Sequence, residues 1–226
     1  YTVDKGHELW VTDGTEAGTN IVKDINLNKG SAFKYQSTGV HNIIDEFSIY
    51  NNELYFYANN GTNGYEPWKT DGTEAGTKLI KDINPGAASS TNYDLGNRPK
   101  FIPFKNELYF FASKSGPDYL LSKIEMWKTD GTASGTKLAT AGNTLTKEGT
   151  FNNYNLFVFQ DHLYFMGEGR YTRKNNFFKT DGTNAGTKII EDFGYSGGLA
   201  SAFPLLDKIY YTRNSGKEIW TIDKDD

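Results

Sequence analysis

Four aspartates recur along this chain in matching surroundings, and a repeated carboxylate is the first place to look for chemistry. Asp13, Asp71, Asp130 and Asp181 each sit in a Thr-Asp-Gly-Thr segment. Such a carboxylate can bind a cation, take a proton, or fold back onto its own backbone. Catalysis assigns different roles to different side chains, as in the acid and nucleophile of glycoside cleavage. Four equivalent copies therefore argue for structure. An Asp accepts bonds from backbone N–H groups just ahead of it, forming an Asx turn. The glycines that follow, Gly14, Gly72, Gly131 and Gly182, tolerate left-handed dihedrals. Gly18, Gly76, Gly135 and Gly186 are expected to close each loop as left-handed bulge residues.

Other side chains do not repeat. Asp45, Glu46, Asp118, Glu148 and Glu168 are the carboxylates from which an acid–base pair could be drawn. No nucleophile elbow, phosphate-binding glycine loop or HExxH segment is present. With His7, His41 and His162 as the only histidines and no cysteine, ligands for a transition metal are scarce. Asp24, Asp82 and Asp192 end their strands, and Asn26 and Asn84 follow two of them. They are calcium candidates, since that ion takes roughly six to eight oxygens. Capping of a strand end is the other reading, and the expectation is no metal and no cofactor. Arg170-Tyr171-Thr172-Arg173-Lys174 is the densest basic and aromatic cluster. Tyr171 could stack on a sugar while Arg170 and Arg173 bond its oxygens or an acidic partner; Tyr35, Tyr93 and Tyr119 fall in comparable loops.

The elements that position these groups follow from two interleaved motifs. The first runs Glu8-Leu-Trp-Val-Thr-Asp-Gly-Thr-Glu-Ala-Gly-Thr19 and returns at Glu66–Thr77, Glu125–Thr136 and Asn176–Thr187, with a start at Glu218-Ile-Trp-Thr221. The second is Asn52-Glu-Leu-Tyr-Phe-Tyr57, echoed at Asn106–Phe111, Asp161–Met166 and Asp207–Thr212. An apolar run precedes each of these, and the polar pair between them reads as a two-residue hairpin turn. Each repeat therefore holds four strands, a to d: the apolar run, Leu-Tyr-Phe, Trp-Lys-Thr, and Lys78-Leu-Ile-Lys-Asp-Ile83 with its equivalents. Strand b is apolar or aromatic on both alternating faces, the pattern of a sheet covered on both sides. Tandem blades of a β-propeller meet that need. The expected fold is all-β, a single propeller-type domain over 1–226. Residues 1–26 give strands c and d of a first blade, 43–85, 99–140 and 152–193 full blades, and 202–223 an incomplete last one.

The Asp-Gly-Thr segment resembles the ELWxxDGTxxGT repeat of secreted and surface proteins from bacteria that use type IX secretion. The resemblance rests on all four full copies, with Pro67, Met126 and Asn176-Phe-Phe178 as departures. It implies an extracellular or cell-surface location and a propeller-like architecture, and it implies no reaction.

Bulk properties narrow the partners. A net charge of −4 with scattered Lys and Arg argues against nucleic acid, and the apolar runs are too short to span a bilayer. Tyr211–Thr221 aligns without a gap to Tyr1–Val11. A closed four-bladed ring would then place two c strands in one slot, so the chain reads as an excerpt of a longer array, or as a five-bladed ring with a frayed last blade. Uniform c–d turns and variable b–c and d–a loops put recognition on the variable loops. The expected function is a non-enzymatic binding or adhesion module for a glycan or another surface protein. The alternatives are a polysaccharide-active enzyme, hydrolase or lyase, and a structural spacer.

Overall fold

The computed structural model describes residues 5–28, 30–33, 47–91, 100–114, 124–139, 149–169, 175–194, 199–213 and 218–222, with backbone alone for 149–155, 168–169 and 199–200. Among these residues every regular element is a β-strand, and no helix is long and apolar enough to cross a membrane. The fold is all-β, of propeller type, built from tandem antiparallel sheets of up to four strands. The strands are β1 (Leu9–Val11), β2 (Asn20–Lys23), β3 (Ser48–Tyr50), β4 (Glu53–Asn59), β5 (Tyr65–Thr70) and β6 (Lys78–Leu79). Next come β7 (Ile102–Phe104), β8 (Glu107–Ser113), β9 (Ile124–Thr129), β10 (Lys137–Leu138), β11 (Gly149–Phe159) and β12 (His162–Gly169). The last are β13 (Asn175–Thr180), β14 (Lys188–Gly194), β15 (Leu199–Leu205), β16 (Lys208–Arg213) and β17 (Glu218–Ile222). Sheet orders are β1-β2, β3-β4-β5-β6, β7-β8-β9-β10, β11-β12-β13-β14 and β15-β16-β17.

The hairpin chemistry is local. Asn51-Asn52 and Lys105-Asn106 hold positive φ at both positions, between 47° and 61°. That is the type I′ turn whose twist matches the flanking strands. At Gln160 and Leu206 only the first residue of the pair is left-handed.

Strand a starts earlier than expected in the later repeats, at Gly149 and Leu199, ahead of the blade starts at 152 and 202 read from sequence. Strand d also departs from expectation. It is two residues long in β6 and β10 but seven in β14. Beyond β6 the Glu66 carboxylate accepts from the N–H groups of Ile83 (3.0 Å) and Asn84 (3.4 Å), as Glu8 does for Ile25 and Asn26 beyond the four-residue β2. Asn176 occupies the Glu66 position in the third full repeat, and there the backbone ladder runs on, Asn176 opposite Asp192.

The chain divides into two compact units, 1–122 with 129–136, and 123–128 with 137–226. In the first, Tyr55, Phe56, Tyr57 and Ala58 of β4 are all buried, as a sheet covered on both sides requires. Phe56 and Ala58 join Ile25, Ala32 and Trp68 in one core, while Tyr57 stacks on Phe101 on the other side. Polar stitches repeat there. Lys23 at the end of β2 donates to the carbonyls of Glu74 and Thr77, and Lys81, just past β6, to those of Ala133 and Thr136, so both grip the next c–d turn. In the second unit Phe159, Tyr164, Met166 and Phe177 pack with Ile209, Tyr211 and Ile222.

Candidate functional site

The four Asp-Gly-Thr turns are built alike. Oδ1 of Asp13 accepts from the N–H (2.9 Å) and hydroxyl (2.7 Å) of Thr15, and Asp71, Asp130 and Asp181 do the same with Thr73, Thr132 and Thr183. A second chain of bonds runs from the N–H of Gly72 to the Thr70 hydroxyl, on to the Thr77 hydroxyl, and ends on the Thr73 carbonyl. Gly14, Gly72, Gly131 and Gly182 have φ of 88° to 92°, which a side chain would strain. The Thr15 hydroxyl and N–H hold the Asp13 carboxyl below its ordinary range, and Thr73 does the same for Asp71. These carboxylates already serve their own loops.

One expectation for this turn is corrected. Gly18, Gly76, Gly135 and Gly186 are not left-handed. They are glycines because the Asp carboxylate five residues earlier occupies the space a Cβ would need.

At the opposite end the described residues of the b–c and d–a connections are polar, and the first two repeats share one set of bonds: Asn26 and Asn84 donate to the Ser31 and Ser89 carbonyls. Glu66 is 0% exposed, and burial pushes its carboxyl up to about 8, against the backbone N–H bonds that lower it. Glu8 is raised for the same reason and bonds the N–H groups of Ile25 (2.9 Å) and Asn26 (3.3 Å). Asp82 stands nearby: Oδ2 accepts from Asn63 Nδ2 at 2.7 Å, while its buried Oδ1 has no partner. Asn60 folds the b–c loop by accepting from the N–H groups of Thr62 and Asn63, and Asn28 reaches across to the Gly61 carbonyl. Sequence reasoning passed over Glu8 and Glu66. Their signal was a charged residue held at the same motif position where its neighbours are apolar.

The remaining sequence candidates scatter. Asp24 pairs with Lys5 at 3.3 Å, and the exposed Asp192 accepts from the Gly194 N–H. Among the described residues no three His, Cys, Asp or Glu side chains converge as metal ligands. Tyr35, Tyr93, Tyr119, Arg170, Tyr171 and Arg173 lie outside the described residues, as do Asp45, Glu46, Asp118 and Glu148. The backbone of Glu168 pairs with Thr150 and Asn175.

No family model matches the chain, and no curated protein matches it. Among solved structures it is similar to an exo-β-1,3-galactanase from Clostridium thermocellum, with TM-score 0.41 and 10% identity over 87% of this chain and 51% of that one. It is also similar to a thermostable family-43 glycoside hydrolase, with TM-score 0.38 and 14% identity over 74% and 62%. A third is an α-L-arabinofuranosidase from Clostridium thermocellum, with TM-score 0.38 and 14% identity over 80% and 67%. The chain thus spans about half the length of the first. The expectation of a non-enzyme stands corrected by this finding alone: the solved structures it is similar to are a galactanase, a glycoside hydrolase and an arabinofuranosidase.

Proposed function

We propose that this chain is the repeat frame of a polysaccharide-active protein, a glycoside hydrolase or lyase, whose sugar site is assembled from the b–c and d–a connections. The supporting observation is the asymmetry between the two ends of the sheets. The c–d end is uniform, and its Asp side chains are committed to their own turns. The described part of the other end gathers amides and carboxylates, among them the buried, unpartnered Oδ1 atoms of Asp24 and Asp82. Sugar hydroxyls are recognised by such planar polar groups alongside aromatic rings. The same connections carry Tyr35, Tyr93, Tyr119, Tyr171, Arg170 and Arg173, with Asp45, Asp118, Glu148 and Glu168 as the carboxylates for acid and base roles. An extracellular or cell-surface setting, with a glycan as partner, is in keeping with the repeat's resemblance to surface proteins.

The test is a panel of polysaccharides assayed for new reducing ends, for unsaturated ends made by a lyase, and for retention. Release that a single Asp45, Asp118, Glu148 or Glu168 amide variant abolishes is the expected result. Retention without release across the panel overturns the enzyme reading.

A further inference from the structure

A buried carboxylic acid needs an acceptor for its proton, and a buried carboxylate oxygen needs a donor. Glu66 and Asp82 present these two needs side by side. The Glu66 carboxyl is wholly buried and accepts from the N–H groups of Ile83 and Asn84, the two residues that follow Asp82. The charge of Asp82 adds to burial in favouring its protonated form. Asp82 Oδ1 is buried without a donor, while Oδ2 accepts from Asn63 Nδ2 at 2.7 Å and from the Gly86 N–H at 3.4 Å. The first repeat holds the same pair. Glu8 is buried and accepts from the N–H groups of Ile25 and Asn26, and Asp24 Oδ1 is again buried without a donor.

The other repeats vary the pair in a way that fits one shared hydrogen. The residues at the Glu66 position are Glu8, Glu66, Glu125 and Asn176; those at the Asp82 position are Asp24, Asp82, Ala141 and Asp192. Where Glu gives way to Asn, the Asp stays, and Asn176 stands opposite Asp192 in the β13–β14 ladder. An amide is the neutral analogue of a protonated acid, with an N–H donor in place of the O–H. Where the Asp gives way, to Ala141, the Glu has no acid at that position to answer. A cation held between two carboxylates would lose one charge in each of these changes. A shared hydrogen survives the first and is not needed in the second.

We propose that Glu66 donates a hydrogen bond to Asp82 Oδ1, and that the shared proton latches the b–c connection closed through Asn63. Facing Glu66 are Asp82 and three neutral groups, the N–H groups of Ile83 and Asn84 and the Ser90 hydroxyl; opposite it on β4 is Ala58. Lys81 is drawn away to the Ala133 and Thr136 carbonyls. Loss of the proton therefore leaves two like charges at low dielectric, and the half-buried Asp82 is the one that can turn to water. It then releases Asn63, whose Oδ1 accepts from Asn60 Nδ2, so the loop of residues 59–64 loosens with it. Asp24, facing Glu8, also has Lys5 at 3.3 Å, which offsets the repulsion and makes the second repeat the more pH-sensitive of the two.

The test follows two groups of the full chain by NMR from pH 5 to pH 9, the Glu66 carboxyl carbon and the Asn63 side-chain amide. Both should move with one midpoint, above that of the exposed glutamates. Beyond it the Asn63 Nδ2 protons should exchange with water about tenfold or more faster. Glu66→Gln keeps a donor that cannot be lost, as Asn176 does, so Asn63 should stay bonded across the range. Asp82→Asn removes the neighbouring charge and should move the Glu66 midpoint to lower pH, which gives a second reading should Glu66→Gln fail to fold. A Glu66 titration to which Asn63 does not respond, or an Asn63 response that persists in Glu66→Gln, overturns the latch. A Glu66 midpoint unmoved by Asp82→Asn does the same. So does calcium chloride that shifts the Asn63 amide at pH 7 in the wild type but not in Asp82→Asn, because the pair then holds a cation and not a proton.

Discussion

The carboxylate of Asp71 lies over the α-carbon of Gly76 and fills the place where a side chain would begin. Thr73 fixes that carboxylate through its N–H and its hydroxyl, so it cannot swing aside without losing both bonds. The same relationship ties Asp13 to Gly18, Asp130 to Gly135 and Asp181 to Gly186.

Gly76→Ala should therefore destabilise the chain by roughly 1–3 kcal/mol, the range for overpacking with loss of local bonds. The clash is pairwise, so Asp71→Ala should recover part of the cost. A double-mutant cycle in urea reads this as a coupling energy. Strict additivity of the two changes would contradict the packing account.

The hydroxyl chain in each turn gives a comparison between buried and exposed copies. Thr129 is fully buried; its hydroxyl accepts from the Gly131 N–H at 3.0 Å and meets Thr136 at 2.7 Å. Thr129→Val strands both partners away from water and should cost about 1–3 kcal/mol. Thr12 makes the same bonds at the surface, where water replaces them, so Thr12→Val should cost well under about 1 kcal/mol. Equal losses in thermal unfolding would mean that burial does not set the value of these bonds.

Much of the fold was legible because its signals are local. The polar pairs Asn51-Asn52 and Lys105-Asn106 announce hairpins, and Leu54 to Tyr57 announce a strand hidden on both faces. The length of strand d was not legible. Glu8 and Glu66 capture the same amides ahead of them, yet β2 is four residues long and β6 two, so no one side chain sets the length. The role of Gly76 was misread for a related reason: a clash with a side chain five residues away has no signature in backbone propensity. The candidate site was less legible still, since loop residues such as Tyr93 and Arg170 carry no periodicity that says which of them meet.

Arg213 ties β16 to its neighbours. It pairs with Glu191 of β14, and its guanidinium lies 4.4 Å from the Trp220 ring and 5.4 Å from that of Phe193. Arg213→Ala removes the ion pair and the stacking together and should cost on the order of 1–2 kcal/mol. Arg213→Lys keeps the charge without the planar face, so its loss should fall between wild type and Ala. Thermal melts of the three proteins check the order, and a Lys variant as weak as Ala would assign the effect to stacking alone.

The buried glutamates set how stability depends on pH. In the folded chain Glu66 is pushed by burial from its ordinary 4.5 up to about 8. An acid whose pKa is raised on folding favours the folded state fully below the unfolded value, and that contribution disappears as pH rises through the folded one. Stability should thus fall between about pH 4.5 and pH 8, and Glu8, raised by the same cause, acts in the same direction. Asp13 and Asp71 work oppositely. Their carboxyls are lowered by Thr15 and Thr73, so their contribution is present above about 3.8 and is lost as pH falls. The two trends place maximum stability in mildly acidic solution. Glu66→Gln removes the larger titration and should flatten the alkaline limb, while leaving the acid limb in place. Urea midpoints measured from pH 3 to pH 9 in the wild type and in Glu66→Gln decide the matter. A wild-type midpoint that rises from pH 5 to pH 8 would falsify the assignment of Glu66 as a carboxyl protonated by its burial.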